Sequence, residues 1–304
     1  MILHSQRDQP ERLNNGPPPV VLTIAGSDPL AGAGLQADLK TVAALGGYCC
    51  TVVTAVTAQN SRQLSRVWAL SAEQLEAQLA AVMADVTPAA VKLGMLASAE
   101  LVTAVTAFLQ APAQAGIPVV LDPVFRSTTG GSLLAGEGVD ALHQLLSLAT
   151  LVTPNLAEAA RLLGCDESKS VEEMEAQARA LCRQTGTAVL LKGGHLSATA
   201  QAVDVLASTA TGEQGEPELV TGFSSPRLEA RHTHGSGCSL AAAIACYLAA
   251  GFTLQEAVGN AKAYIYNAIF QAADLHLVDR NGPLHHFYRT SEERAQWKPT
   301  NPNI

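Results

Sequence analysis

A glycine-rich turn that opens directly into an apolar helix is the strongest chemical signal in this sequence. Residues 234–239 read His-Gly-Ser-Gly-Cys-Ser, and an alanine-rich run follows. The backbone N–H groups of Gly235, Ser236 and Gly237 are expected to point the same way as the free N–H groups of the helix's first turn, which favours an anion. Cys238 falls within that first turn, where the helix dipole is expected to lower the pKa of its thiol. The pattern predicts chemistry on a phosphate, and the competing interpretation is a plain turn before a buried helix with a small core cysteine.

Polar groups and glycines follow several other apolar runs in the same way. If these runs are strands of an open α/β sheet, their carboxyl ends meet at one edge, where ligands bind. The segments that would gather there are Gly26-Ser27-Asp28, Thr57–Asn60, Lys92–Met95, Asp122–Val124, Thr153–Asn155 and Lys192–His195. This recurrence indicates a site more strongly than any single motif does.

Two nucleotide-binding motifs fit the sequence poorly. Residues 32–37 match the loose G-x-G-x-x-[GA] pattern of dinucleotide binders. The preceding strand is expected to end near Ala25, several residues too early for the tight first turn, and no acidic residue ends the next strand. The G-x-x-x-x-G-K-[ST] pattern of a P-loop does not occur in the sequence.

Three groups of residues each allow two interpretations. Asn155 and Glu158 follow a strand at i,i+3 spacing, so they can orient a hydrated magnesium ion or form a helix capping box. Asp38, early in a helix, is either part of a solvated face or a carboxylate that faces a ligand. His195 and His234 are expected to be hydrogen-bonded loop histidines, because neither has an accompanying metal-ligand pattern.

Strands alternate with helices along the chain, which predicts an α/β fold with a mostly parallel sheet covered on both faces. No repeat or break in composition divides the sequence, so a single domain is expected. The predicted strands are Val20–Ala25, Cys49–Ala58, Val67–Leu70, Ala90–Leu93, Val119–Asp122, Leu151–Val152 and Ala188–Leu191, with antiparallel elements near Val203–Leu206, Leu219–Gly222 and Leu228–Arg231. The predicted helices are Leu35–Leu45, one capped by Ser71, Ala99–Gln110, Gly138–Leu148, Ala157–Leu163, Val171–Arg183, Cys238–Ala250 and Leu254–Gln271.

Composition excludes several classes of protein. The 304 residues are 48% hydrophobic and carry a formal net charge of −8, without a basic stripe, which argues against nucleic acid as a partner. The longest apolar run, Ser239–Phe252, is too short to span a membrane. Six cysteines without CxxC spacing are expected to be free thiols in the cytoplasm. The N-terminal 19 residues are polar and proline-rich and are expected to be flexible, with no signal peptide.

Taken together, these motifs resemble the hydroxymethylpyrimidine/phosphomethylpyrimidine kinases of thiamin biosynthesis, in the ribokinase-like superfamily. The matching segments extend from Val20 to Tyr288 and include TIAGSDPLAGAGLQADLKT from Thr23, TAVTAQN from Thr54, VKLGML from Val91, LDPV from Leu121, TPNLAEAA from Thr153, LLKGGH from Leu190 and HTHGSGCSLAAAIA from His232. The resemblance implies a ribokinase-like kinase domain over residues 20–290, a C-terminal tail over 291–304, ATP and Mg²⁺ as cofactors, and a homodimer.

The resemblance also implies a role for each matching residue. The pyrimidine substrate is expected against Gly26, Asp38, Gln59 and Met95. Gly235, Ser236 and Gly237 correspond to the anion hole for the transferring phosphoryl group, and Cys238 stands where related sugar kinases carry an aspartate base. Asp122 and Lys192 are expected near the nucleotide phosphates, and Asn155 and Glu158 at the magnesium ion.

Two departures from the family pattern bear on the substrate. Leu30-Ala31 stands where Ser-Gly is usual, and Phe125-Arg126 where smaller or aliphatic residues are common. Some relatives phosphorylate pyridoxal or pyridoxine, so a pyridoxal-type kinase stays open as an alternative. A ligand-binding protein that keeps the fold without turnover is the other alternative.

Overall fold

The computed structural model describes residues 17–125, 137–194, 196, 200–209, 218–230, 232–278 and 280–289. These residues form one nine-stranded sheet in the order β3-β2-β1-β4-β5-β6-β7-β8-β9. The strands are β1 Val20–Ser27, β2 Tyr48–Gln59, β3 Leu64–Ala69, β4 Ala90–Leu93, β5 Val119–Leu121, β6 Leu151–Val152, β7 Ala188–Lys192, β8 Gln201–Thr209 and β9 Glu218–Pro226. The six neighbouring strands from β2 to β7 pair in parallel, and β3, β8 and β9 are antiparallel.

Helices cover both faces of the sheet. The helices are α1 Gly34–Ala44, α2 Ala72–Asp85, α3 Ala99–Gln110, α4 Glu137–Leu146, α5 Leu156–Leu163, α6 Val171–Thr185, α7 Ser236–Ala249 and α8 Leu254–Phe270. One core lies between the sheet and α2–α6, and the other between the sheet and α1, α7 and α8. All six inner residues of β1 are buried, because this strand is covered on both faces.

Helix α7 lies in the middle of one face. Its alanines at 241, 242, 243 and 245 have no exposed surface, and the helix contacts β1, β4 and β5. Small side chains allow a helix axis to approach a sheet closely. The N-terminus of α7 is thereby held at the carboxyl ends of the central strands.

The mostly parallel sheet with antiparallel edges confirms the predicted fold class. Ala90–Leu93, Ala99–Gln110 and Leu151–Val152 have the predicted bounds, and Ser71 caps α2 in a capping box. The predicted strand at Leu228–Arg231 is wrong over residues 228–230, since β9 ends at Pro226, which has no N–H for a further ladder bond. Residues 1–16, Arg126, His195, Arg231 and 290–304 lie outside the described residues, and with them most of the two predicted terminal segments.

No helix in the described part of the chain is both long enough and apolar enough to cross a membrane.

Candidate active site

A cavity of about 740 Å³ opens at the carboxyl ends of the parallel strands. From β1 the chain first adds β2 on one side and later returns to add β4 on the other, so a topological switch point lies beside β1. The predicted site residues that line this cavity are Gly26, Gln59, Met95, Asp122, Asn155, Glu158, Lys192, Gly235, Ser236, Gly237 and Cys238. Asp38 is the predicted site residue that does not line it.

The glycine turn fits tightly against its neighbours. Gly235 caps α7 in the left-handed region with φ of 79°, and a Cβ there would collide with the Gly32 carbonyl oxygen. A Cβ on Gly237 would lie 3.2 Å from Lys192 Nζ and 3.7 Å from Asp122 Oδ2. The Ser236 N–H donates to the Thr233 carbonyl oxygen at 3.1 Å, so one of the three N–H groups expected to bind an anion already has a partner. The first turn of α7 still supplies the N–H groups of Gly237 and Cys238.

The Cys238 thiol lies in the first turn of α7 and is half-buried. Burial raises the pKa of the Cys238 thiol to about 11, the charges of Asp122 and Asp38 act in the same direction, and Lys92 opposes them. The expectation of a lowered pKa is therefore wrong for the protein without substrate. Loss of water around the sulfur outweighs the nearby Lys92 and the Gly34 N–H that bonds to the sulfur, both of which lower the pKa.

Asp38 lies beneath the cavity and has no exposed surface. Its Oδ2 accepts hydrogen bonds of 2.7 Å from both Lys92 Nζ and Thr23 Oγ1. Lys92 is also fully buried, yet it lines the cavity. Asp38 thus holds Lys92 at the cavity wall through an ion pair, and the expected contact between Asp38 and the substrate stays a prediction.

Asp122 and Lys192 form the next part of the wall. Lys192 Nζ donates to Asp122 Oδ1 at 2.7 Å, and Thr153 Oγ1 donates to the same oxygen at 3.2 Å. Burial alone would lower the pKa of Lys192, but the carboxylates of Asp122 and Glu158 outweigh it and raise the pKa. Lys192 is therefore a fixed positive charge beside the glycine turn, as contact with phosphate oxygens requires.

Asn155 and Glu158 form the capping box that was one of their two interpretations. Asn155 Oδ1 accepts from the Glu158 N–H at 2.9 Å, and Glu158 Oε2 accepts from the Asn155 N–H at 2.7 Å. Burial raises the pKa of Glu158 to about 7.

A magnesium ion is compatible with these residues, because Glu158 lines the cavity and a carboxylate is a ligand that Mg²⁺ prefers. Mg²⁺ usually binds one or two carboxylates together with waters and substrate phosphates. Within the described residues, no group of three or more His, Cys, Asp or Glu could hold a metal without such help.

The end of the cavity near β1 and β2 is lined by Gly26, Gln59 and Met95. A Cβ on Gly26 would overlap Met95 Cε, so the glycine leaves room for the methionine side chain to lie across the wall. Met95 is 9% exposed, and its thioether adapts well to an aromatic face. Gln59 supplies a polar group at the same end.

Two buried residues beside Gln59 were not assigned a binding or catalytic role from the sequence. Asp28 and His234 are each 3% exposed, and His234 Nε2 lies 2.9 Å from Asp28 Oδ2. This bond confirms that His234 is a hydrogen-bonded loop histidine. The two residues are 206 positions apart, so local sequence pattern could not pair them.

The opposite end of the cavity lies between β8, β9 and α8, and sequence reasoning missed it. Lys262 Nζ donates to Asp204 Oδ2 at 2.6 Å, and Asp204 Oδ1 accepts from the Gly193 N–H at 3.0 Å. Tyr266 and Ile269 add apolar surface there. No short motif marks these residues, because they are assembled from a hairpin and a helix far apart in the chain.

Comparison with known proteins gives one consistent family. A family profile described as phosphomethylpyrimidine kinase matches residues 28–285. The hydroxymethylpyrimidine/phosphomethylpyrimidine kinase of Rhizobium meliloti is 44% identical over 271 residues, which cover 89% of this chain and 97% of the relative. The protein of the same description from Escherichia coli is 41% identical, with 88% and 97% covered.

Solved structures show the same fold. The phosphomethylpyrimidine kinase of Clostridium difficile superposes with a TM-score of 0.70 at 36% identity, covering 83% of this chain and 99% of that one. The pyridoxal kinase of Staphylococcus aureus, solved in complex with AMP-PCP and pyridoxal, superposes with a TM-score of 0.77 at 32% identity, covering 90% and 96%.

Proposed function

The chain belongs to the phosphomethylpyrimidine kinase family, and on that basis we propose that it phosphorylates 4-amino-5-hydroxymethyl-2-methylpyrimidine with ATP. We propose that it also phosphorylates the resulting monophosphate to the diphosphate, in thiamin biosynthesis. The observation that carries the proposal is a single cavity that joins a ring-binding end, at Gly26, Gln59 and Met95, to the glycine turn of α7. Cys238 lies in the same wall as both.

The ring-binding end orients the acceptor. Met95 packs on the ring face, and Gln59 bonds to its polar edge. The hydroxymethyl oxygen is then directed toward Cys238. Holding the acceptor in this way supplies much of the catalysis, because phosphoryl transfer needs little covalent work from the protein.

The transferred phosphoryl group is stabilised by groups that are already in place. The N–H groups of Gly237 and Cys238 and the ammonium of Lys192 face the charge that develops on its oxygens. Asp122 holds Lys192 in position through the 2.7 Å ion pair. Asn155 and Glu158 are the residues that would hold Mg²⁺, which neutralises phosphate charge when bound.

Cys238 acts as the proton acceptor in this proposal. A bond forms between the hydroxymethyl oxygen and the γ-phosphorus, the bond from that phosphorus to the bridging oxygen of ADP breaks, and the hydroxyl proton passes to the Cys238 sulfur. Because burial raises the pKa of this thiol to about 11, only a small thiolate fraction is present at neutral pH. The proton is lost late in a loose transition state, so the expected contribution is near the lower end of the usual range of about 10²–10⁴.

The test is ATP consumption with Mg²⁺ and either the hydroxymethylpyrimidine or pyridoxal. We expect faster turnover with the pyrimidine, followed by turnover of its monophosphate. Preference for pyridoxal would favour the pyridoxal-kinase alternative, which is supported by the structural similarity to the pyridoxal kinase of Staphylococcus aureus. Binding without turnover of either compound would favour the non-catalytic alternative.

A pair of cysteine variants tests the proton acceptor. Cys238→Ala is expected to lower kcat about 100-fold with little change in the KM for ATP. Cys165→Ala is the matched control, because Cys165 is exposed and does not line the cavity. Turnover of Cys238→Ala within about threefold of wild type would remove Cys238 from the mechanism.

We further propose that residues 20–290 form the kinase domain and that the enzyme works as a homodimer in the cytoplasm. Exposed Val56 and Trp68 are register partners on β2 and β3 and support a contact between copies. All six cysteines are free thiols, which supports a reducing compartment.

A further inference from the structure

We propose that His234, fixed by Asp28, sets the orientation of the Gln59 carboxamide so that its NH₂ group faces the cavity. The site then selects a ring that offers a lone-pair nitrogen at that position. His234 is a positioning residue in this proposal, which deepens the proposed function and rests on it for the identity of the ring.

The first step concerns the proton on His234. Nε2 lies 2.9 Å from Asp28 Oδ2, and an ionised carboxylate can only accept hydrogen bonds. Burial alone would raise the pKa of Asp28, but the hydrogen bond from His234 and those from the N–H groups of Ala33 and Leu30 outweigh it, so the pKa is lowered. Nε2 must therefore carry a proton, whether the imidazole is neutral or charged.

The second step concerns Gln59. Its carboxamide nitrogen lies 3.4 Å from the same His234 Nε2. Two N–H donors facing each other repel, whereas a carbonyl oxygen there can accept a second branch of the His234 hydrogen bond. A half turn about the last side-chain torsion exchanges the two amide ends at nearly the same positions. His234 therefore favours the carbonyl oxygen on its own side, which leaves the NH₂ group for the cavity.

The third step is that His234 cannot turn away. A Cβ on Gly32 would strike His234 Cδ2, so the glycine backbone lies against the imidazole ring. The Gly32 N–H donates to Asp28 Oδ2 at 3.1 Å, which ties the same loop to the same carboxylate. The backbone N–H of His234 donates to the Gly282 carbonyl oxygen at 3.1 Å. The imidazole therefore lies against the Gly32 backbone, and the backbone that carries it is fixed to Gly282.

The consequence is a defined hydrogen-bond pattern at the ring-binding end. A fixed NH₂ group donates a hydrogen bond to a ring nitrogen that has a free lone pair, whereas opposite a ring C–H the NH₂ group has no acceptor. An unpaired buried donor lowers affinity by roughly 5- to 100-fold. The preference should depend on His234, although His234 itself need not touch the ring.

The first experiment measures binding of two carba-analogues, in which one or the other ring nitrogen of the hydroxymethylpyrimidine is replaced by C–H. In the wild type we expect one analogue to bind at least about tenfold more weakly than the parent. In His234→Phe the amide can turn over, and this difference should fall below about threefold. His232→Phe is the matched control, because His232 Nδ1 accepts from the Gly282 N–H and has no contact with Gln59 among the hydrogen bonds described. If His234→Phe still bound ATP and kept the full difference in affinity between the parent pyrimidine and the weaker analogue, the proposal would be overturned.

The second experiment does not depend on the substrate. Selective ¹⁵N labelling of histidine, with His234 identified by its absence in His234→Phe, reports which ring nitrogen carries the proton. We expect a proton on Nε2, and a neutral ring protonated only on Nδ1 would overturn the proposal. If the wild type binds none of the pyrimidines, the proposed function fails while this measurement still decides the role of His234.

Discussion

Ala31 occupies a backbone conformation that suits glycine, which makes Ala31→Gly an informative substitution. Its φ is 58°, in the left-handed region, where its carbonyl oxygen accepts a 2.7 Å hydrogen bond from Lys40 Nζ. The Ala31 N–H closes a turn by donating to the Asp28 carbonyl oxygen at 2.8 Å. The resemblance described in the sequence analysis implies Ser-Gly at positions 30–31, so we expect this chain to carry a Cβ at position 31 where the family pattern has none.

The expected gain follows from two opposing effects. Left-handed backbone costs an L-residue about 1–2 kcal/mol, and glycine removes that cost. Glycine also gives the unfolded chain more conformational freedom, which lowers the free energy of unfolding by about 0.4–1 kcal/mol. The mid-values of these two effects differ by about 0.8 kcal/mol, so the free energy of unfolding should rise by about that amount, which in a chain of this size raises Tm by about 1–3 °C.

Urea unfolding with an unchanged slope and a higher midpoint would measure the gain. Ala33→Gly is the matched control in the same loop, because Ala33 has φ of −131° and ψ of −169°, an ordinary extended conformation. At position 33 glycine only increases the conformational entropy of the unfolded chain, so the free energy of unfolding of the control should fall by about 0.4–1 kcal/mol. If Ala31→Gly lost as much stability as Ala33→Gly, the strain argument would be refuted.

Three further predictions concern the site and its support. Gly26→Ala should push Met95 into the ring-binding end, because a Cβ on residue 26 overlaps Met95 Cε. The KM for the pyrimidine should rise about tenfold, and the KM for ATP should not change. A rise in the pyrimidine KM below about twofold would contradict this prediction. Lys92→Met should lower the free energy of unfolding by about 3–5 kcal/mol, because it leaves the buried Asp38 carboxylate without its lysine. Adding Asp38→Asn should restore more than half of that loss, as measured by urea unfolding. Equal losses of stability in the single and double variants would argue against the ion pair. Burial lowers the pKa of His286 to about 4, so stability should fall as pH drops from about 6.5 toward 4, by about 3 kcal/mol in full. His286→Gln should remove that dependence, and identical pH slopes in variant and wild type would disprove it.

Elements with strong local signals were predictable from the sequence. The bounds of α3 and the start of α2 follow from the serine caps at 98 and 71, whose side chains accept first-turn N–H groups. The parallel strands follow from short, continuous apolar runs between helices. The antiparallel hairpin of β8 and β9 was placed less well, because an edge strand alternates and its ends depend on its partner.

The site was predictable only as a set of residues gathered at one edge of the sheet. Whether a side chain there faces a ligand or the core depends on contacts across the chain. Asp38 shows this, because the lysine that turns it into a buried partner is 54 positions away. Cys238 shows it for electrostatics, since a helix terminus is visible in sequence but the loss of water around the sulfur is not.

The backbone tie between His234 and the segment 281–283 has a consequence for synthesis on the ribosome. The Thr233 N–H donates to Asn281 Oδ1 at 2.8 Å, the His234 N–H donates to the Gly282 carbonyl oxygen, and His234 bridges to Pro283. The stretch that carries the glycine turn therefore gains these ties only after residues 281–283 have been made, although its contacts with Asp28 and Gly32 can form earlier. All nine strands of the sheet precede residue 227, so a nascent chain can assemble the sheet before residues 281–283 complete the support of the turn that would face the phosphoryl group. Chains released early would thus lack the finished site even where their core has formed.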